Sequence, residues 1–142
     1  MLIDIKPRLR EAVVADLIGQ AVFPDPEAIA RAITLYESSS DLELYGLEFE
    51  GELVGAVGIA MRDGEELVVK HIAVLPDQRG KGFGRDLMVA LIPLKNPRRL
   101  VAETDEESVD FYRSIGFTIE SLGEKYPGVE RFQCTYEVDE EE

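Results

Sequence analysis

The alternation of apolar and polar positions changes period several times along the chain, and each change predicts an element. Residues 1–6 alternate Leu2, Asp4 and Lys6 against Ile3 and Ile5, a first strand. Pro7 then opens a stretch in which Leu9, Val13, Leu17 and Ala21 recur every fourth position, the stripe of an amphipathic helix. Asp25-Pro26-Glu27 starts a second helix, with a capping aspartate, proline at the first position and an acid in the first turn. Ile29, Ile33 and Tyr36 continue it to Ser38-Ser39-Ser40. Residues 42–49 and 53–61 read as a hairpin around Glu50-Gly51-Glu52. Arg62-Asp63-Gly64-Glu65 turns into residues 66–75, so continuously apolar that they predict a central strand buried on both faces and closed by Pro76. After a glycine-rich loop, Leu87, Met88, Leu91 and Ile92 mark a helix that Pro93 is expected to stop. Residues 98–103 predict a strand, and Thr104-Asp105-Glu106-Glu107 has the form of a capping box opening a helix with Val109, Tyr112 and Ile115. Gly116 suits its C-terminal cap. Strands near 117–123 and 130–138 flank Tyr126-Pro127-Gly128. The order β-α-α-β-β-β-α-β-α-β-β predicts one α/β domain over residues 1–142, with an acidic end at 137–142 that frays.

Composition narrows the class. The 142 residues can bury one core, and 45% apolar with 31% charged residues is the profile of a soluble globular protein. No apolar run approaches the length of a membrane span, and the first residues lack the pattern of a leader, so a cytoplasmic protein is expected. Cys134 and His71 are the only cysteine and histidine, which argues against an internal disulfide or a metal site. A net charge of −14 disfavours nucleic acid and anionic membranes as partners. That charge is uneven: residues 76–99 hold six basic and two acidic residues, +4, against −18 for the remainder. A basic island in an acidic chain suits either a compact anionic ligand or an ordinary solvated surface.

The island contains Asp77-Gln78-Arg79-Gly80-Lys81-Gly82-Phe83-Gly84-Arg85, between the apolar strand and the following helix. Glycines there let the backbone approach a ligand, and the helix start offers unpaired N–H groups and the positive end of its dipole. Arg79, Lys81 and Arg85 add charge, so the loop is suited to a phosphate or diphosphate. The string G-x-x-x-x-G-K-[ST] does not occur, and a dinucleotide fingerprint would need glycine where Arg85 stands. A tight strand-to-helix turn without a ligand is the remaining plain reading.

In these residues the sequence resembles the GCN5-related N-acetyltransferase (GNAT) family. Arg79-Gly80-Lys81-Gly82-Phe83-Gly84 matches that family's [QR]-x-x-G-x-[GA] loop, Ile72-Ala73-Val74-Leu75-Pro76 resembles the end of its fourth strand, and Phe111-Tyr112-Arg113-Ser114-Ile115-Gly116-Phe117 is similar to its F-Y-x-x-x-G-F segment. The resemblance is strong over residues 66–117. It implies a mixed, mostly antiparallel sheet of six to seven strands flanked by helices, acetyl-CoA as cofactor, and transfer of the acetyl group directly to an amine in a ternary complex. The loop Arg79, Gly80, Lys81, Gly82, Phe83 and Gly84 would hold the diphosphate. The backbone of Ile72 and Val74 would pair with the pantetheine arm, and a backbone N–H of Ile72 or Ala73 would polarise the thioester carbonyl. Phe111 would pack against the cofactor or the core.

By the same resemblance Tyr112 is the candidate general acid, since a phenol keeps its proton at neutral pH. The strand glutamate that some members use as base is Val68 here, which leaves Glu103 as the candidate base, with Glu48 and Glu50 behind it. His71 has a suitable ordinary pKa, but its place on the strand predicts a packed or hydrogen-bonded ring. Asp105 occupies the position of a cofactor-contacting asparagine; it caps a helix equally well, but cannot donate a hydrogen bond when ionised. Cys134 reads as a buried structural thiol. The acceptor is expected to be a small-molecule or peptide amine, with a cationic one favoured by the acidic remainder. The two N-terminal helices and the 123–129 turn would specify it, and a homodimer is compatible with such a fold. The competing reading is a non-catalytic acyl-CoA-binding sensor or interaction module.

Overall fold

The structure, a computed structural model, describes residues 2–22 and 25–138, with nothing said of the side chains of residues 125 and 126. Its elements are β1 (Leu2–Asp4), α1 (Ala12–Ala21), α2 (Pro26–Ser38), β2 (Leu42–Phe49), β3 (Glu52–Arg62), β4 (Glu66–Val74), α3 (Phe83–Lys95), β5 (Arg99–Asp105), α4 (Val109–Ser114), β6 (Thr118–Tyr126) and β7 (Val129–Glu137). Short 3-10 turns lie at Lys6–Arg8 and Pro76–Gln78. The strands hydrogen-bond in the order β1-β2-β3-β4-β5-β7-β6. The sheet is mixed: β4 and β5 run parallel, while the β1–β2, β2–β3, β5–β7 and β6–β7 ladders are antiparallel. The chain forms two compact units, residues 1–60 with 70–94, and residues 61–69 with 95–142, and β4 contributes to both.

In the first unit α1 and α2 cover the sheet. Ile5, Val14, Leu17, Ile33, Tyr36 and Leu44 form the buried cluster, with Ala73 of β4 in the same layer. The periodicity that predicted α1 is real, but the helix starts at Ala12 and not near Pro7. Leu9, only 3% exposed, reaches the core from the turn that precedes it. The second helix begins as predicted, Asp25 accepting from the Glu27 amide with Pro26 in the first turn. Pro93 does not stop α3, which runs to Lys95. A proline this near the C-terminus removes one late rung of the ladder and leaves the earlier turns intact.

In the second unit α4 packs on β6 and β7, and Leu100, Ala102, Val109, Tyr112, Phe117 and Cys134 are buried. The capping box at 104–107 is corrected by the structure. β5 runs through Asp105, and α4 starts only at Val109, with Ser108 in the cap position and no side-chain cap bond. Asp105 Oδ1 instead accepts from the Ser108 amide at 3.0 Å, closing a turn before the helix. Gly116 follows the last helical residues with φ +100°.

β4 is less buried than its composition predicts. Leu67, Val69 and Ala73 are buried, but Lys70 is exposed and His71 and Ile72 are half-buried. Lys70 follows directly on the last rungs of the parallel ladder, Val68 with Val101 and Val69 with Ala102.

Candidate active site

The predicted site residues fall into two groups, one in each unit. The first runs from β4 through the loop into α3. Gly80 and Gly82 take φ values of +81° and +86°, which side chains rarely adopt, and a Cβ built on either meets no atom within 4 Å. The two glycines therefore form an open cradle of backbone that a side chain would fill. The Asp86 amide bonds the Gly82 carbonyl at 3.0 Å, so α3 begins right after the cradle. Its first N–H groups, on Phe83, Gly84 and Arg85, have no partner in the helix. They carry the positive end of the dipole of a 13-residue helix.

Around this cradle the cations are not equivalent. Arg79 folds back: its Nε donates to the Val74 carbonyl at 3.1 Å and its Nη2 to Gln20 Oε1 at 2.9 Å. It ties the loop to the end of β4 and to α1, a bracing role invisible in the motif. Lys81 Nζ donates to Gln78 Oε1 at 3.1 Å and is exposed, as is Arg85. Phe83 is 8% exposed, its ring packed on Phe49 with ring centroids 5.1 Å apart, so its backbone is what it can offer to a group held on the loop amides. Ala73 likewise spends its side chain in the core, while Ile72 and Val74 are half-buried.

His71 is hydrogen-bonded, as its place on the strand predicts. The Tyr36 hydroxyl lies 2.6 Å from His71 Nδ1. Tyr36 is fully buried, and its hydroxyl fits over Gly58 of β3, where a Cβ would stand 1.6 Å from the oxygen. Neither Tyr36 nor Gly58 was singled out for this, although glycine inside a strand signals close approach. Burial pushes the His71 pKa down, and Lys70 beside it adds to the shift. The unfolded chain then takes up the proton at a higher pH than the folded chain. The stability this neutral ring confers is complete above the ordinary value of about 6.5 and falls as pH drops through it. Urea unfolding at pH 7.5 and 5.5 is expected to show wild type losing more stability than a His71→Gln variant. Equal losses would mean that His71 does not set this slope.

The second group lies on β5 and α4. Tyr112 is 4% exposed, its ring edge-on to Phe111 at 5.1 Å and to Phe117 at 5.3 Å. Burial, with a smaller contribution from Cys134, pushes its pKa well above that of an ordinary phenol. Phe111 is half-buried against it. Glu103 is exposed and accepts from Arg131 Nε at 3.2 Å. Asp105 spends Oδ1 on its own turn. Glu48 and Glu50 are exposed at the far end of β2, in the first unit.

The mixed sheet with helices on it defines an α/β protein in which a strand, an open glycine loop and a helix start follow one another, an arrangement suited to an anionic group. Residues 40–119, more than half of the chain, match the acetyltransferase (GNAT) domain, and the chain belongs to that family. An uncharacterized N-acetyltransferase in the lysA 3′ region of Bacillus methanolicus is 24% identical over 101 residues, 71% of this chain and 84% of that protein. A crystal structure assigned to a GNAT-family acetyltransferase of Desulfovibrio desulfuricans superposes with a TM-score of 0.80 at 19% identity, covering 96% of this chain and 98% of that one. A GNAT-family acetyltransferase of Elizabethkingia anophelis with acetyl-CoA bound gives 0.63 at 23% identity, covering 87% and 89%.

Proposed function

We propose that the protein is an acetyl-CoA-dependent N-acetyltransferase that moves an acetyl group directly to a primary amine of a small molecule or peptide. The observation that carries this reading is the cradle at Gly80 and Gly82, open where side chains would stand and placed at the start of α3. It fits a diphosphate, and the acetyl-CoA bound by the Elizabethkingia neighbour contains one. When bound, acetyl-CoA would supply the acetyl group as an activated thioester. The chain's part is to hold it with the amides at 80–85 and the exposed charge of Lys81 and Arg85, and with the backbone of Ile72 and Ala73.

Tyr112 holds a proton at Oη throughout the neutral range, because burial opposes its ionisation. It is the candidate acid for a departing thiolate. Glu103 is the candidate acceptor of the amine proton, its carboxylate positioned by Arg131. The −18 charge outside the basic island favours a cationic acceptor by steering.

Calorimetric titration of acetyl-CoA, with desulfo-CoA and ATP alongside, tests the cofactor, and a panel of amines tests the transfer. Binding of both CoA species well ahead of ATP is expected, and no CoA binding sinks the proposal. CoA binding with no transfer to any amine would point to the sensor reading, which the absence of a strand glutamate at Val68 favours. Tyr112→Phe is expected to lower kcat by about 10²-fold while acetyl-CoA affinity changes by less than about threefold. Unchanged kcat removes Tyr112 from the mechanism.

A further inference from the structure

We propose that the cleft between the end of β2 and α3 is a docking site for a basic peptide segment that presents an apolar side chain beside its lysines or arginines. The cleft measures about 390 Å³ and is lined by Leu47, Phe49, Phe83, Val89, Ala90 and Pro93, with the carboxylates of Glu48 and Asp86. Leu47 and Phe83 make a buried floor, whereas Phe49 and Val89 are 46% and 49% exposed. Large apolar side chains left half in water around a concave floor mark a surface that something else covers.

Local backbone features create the cleft. Leu47 pairs with Gly55 but Glu48 pairs with Leu53, so a bulge re-aims the strand end at this point. Across from it, Pro93 has no N–H for the Val89 carbonyl four positions back, which leaves that acceptor without its usual helical partner.

Charge selects the occupant. Glu48 and Asp86 stand at the cleft, and Glu50 and Glu52 follow Glu48 along the same hairpin. Arg8, whose guanidinium feels Glu48, is already held by both oxygens of Glu11. A second copy of the chain would bring another −14 charge to this acidic rim. A peptide with a buried apolar anchor and flanking cations matches floor and rim together. Of the residues considered for acetyl transfer, the cleft uses Phe83, whose ring packs on Phe49, and Glu48, an alternative to Glu103 as base.

The test uses a synthetic hexapeptide with a Leu-Phe centre between Lys-Arg pairs, titrated into the isotopically labelled full chain. Amide signals of residues 47–49 and 83–92 are expected to shift. Binding is expected to weaken about tenfold or more in Asp86→Lys, in Val89→Asp and in about 0.5 M salt. A version with glutamates in place of the basic pairs is expected not to bind. The proposal is overturned if the basic peptide fails to bind at about 1 mM. It is also overturned if an Ala-Ala centre binds equally well, or if neither variant changes the affinity. A dimer in sedimentation that Val89→Asp dissociates would give the cleft to a second copy and equally overturn it.

Discussion

Gly58→Ala is expected to lower folding stability by on the order of 3 kcal/mol. The added Cβ would stand 1.6 Å from the Tyr36 hydroxyl and 2.6 Å from the ring carbon that bears it. Tyr36 has no room to retreat, because its side chain is 0% exposed and its hydroxyl is fixed on His71 Nδ1 at 2.6 Å. Either the ring is displaced, breaking that hydrogen bond and leaving a buried polar atom unpaired, or the strand shifts and disturbs its ladder. Tyr36→Phe in the same background should recover only part of the loss, since the ring carbon remains within clash distance. The cycle of the two substitutions should therefore be strongly non-additive. Urea denaturation of the four proteins measures this, and a loss below about 1 kcal/mol for Gly58→Ala would show that the layer yields more easily than its packing indicates.

Gly82→Trp is expected to weaken acetyl-CoA binding by about 100-fold or more while leaving the protein folded. Two effects add. The position has φ +86°, which strains any side chain by about 1–3 kcal/mol. The indole would also occupy the open space above the backbone that the proposed function gives to the diphosphate. Because the added Cβ meets no protein atom within 4 Å, the backbone strain is the main effect on stability to be expected. Lys81→Ala is the useful contrast, since it removes one exposed charge and leaves the cradle amides in place. Calorimetry on both variants, with circular dichroism as the control for folding, separates the two. Affinity unchanged in Gly82→Trp would mean that the loop is a plain turn.

What could be read in the sequence, and what could not, follows from the range of the interactions. β2 at Leu42–Phe49 matches its expected span, because Leu42 and Leu44 alternate with Glu43 and Tyr45 and the Glu50-Gly51-Glu52 turn marks its end locally. The glycine loop was legible because its requirement for positive φ falls on the residues themselves. The start of α4 was misplaced because Thr104-Asp105-Glu106-Glu107 satisfies a capping pattern that Asp105 uses for a turn. The stop expected at Pro93 failed because the core contacts of Phe83, Leu87, Met88 and Leu91 hold the helix before it and outweigh one missing rung near its end. The Tyr36–His71 pair joins residues 35 positions apart, and the Arg79–Gln20 contact spans 59. Neither leaves a periodic trace. The same holds for the cleft beside α3, whose walls come from a strand and a helix about 40 positions apart.

Cys134 gives the chain a property that has nothing to do with catalysis. It is the only thiol, it lies on β7 in full burial, and burial raises its pKa so that little thiolate forms near neutrality. An alkylating reagent meets it only when the second unit opens. The labelling rate is thus a built-in clock for that half of the molecule, read by mass without any engineered probe. Timed with and without acetyl-CoA, it reports whether a ligand expected to rest on the loop of the first unit also steadies the second.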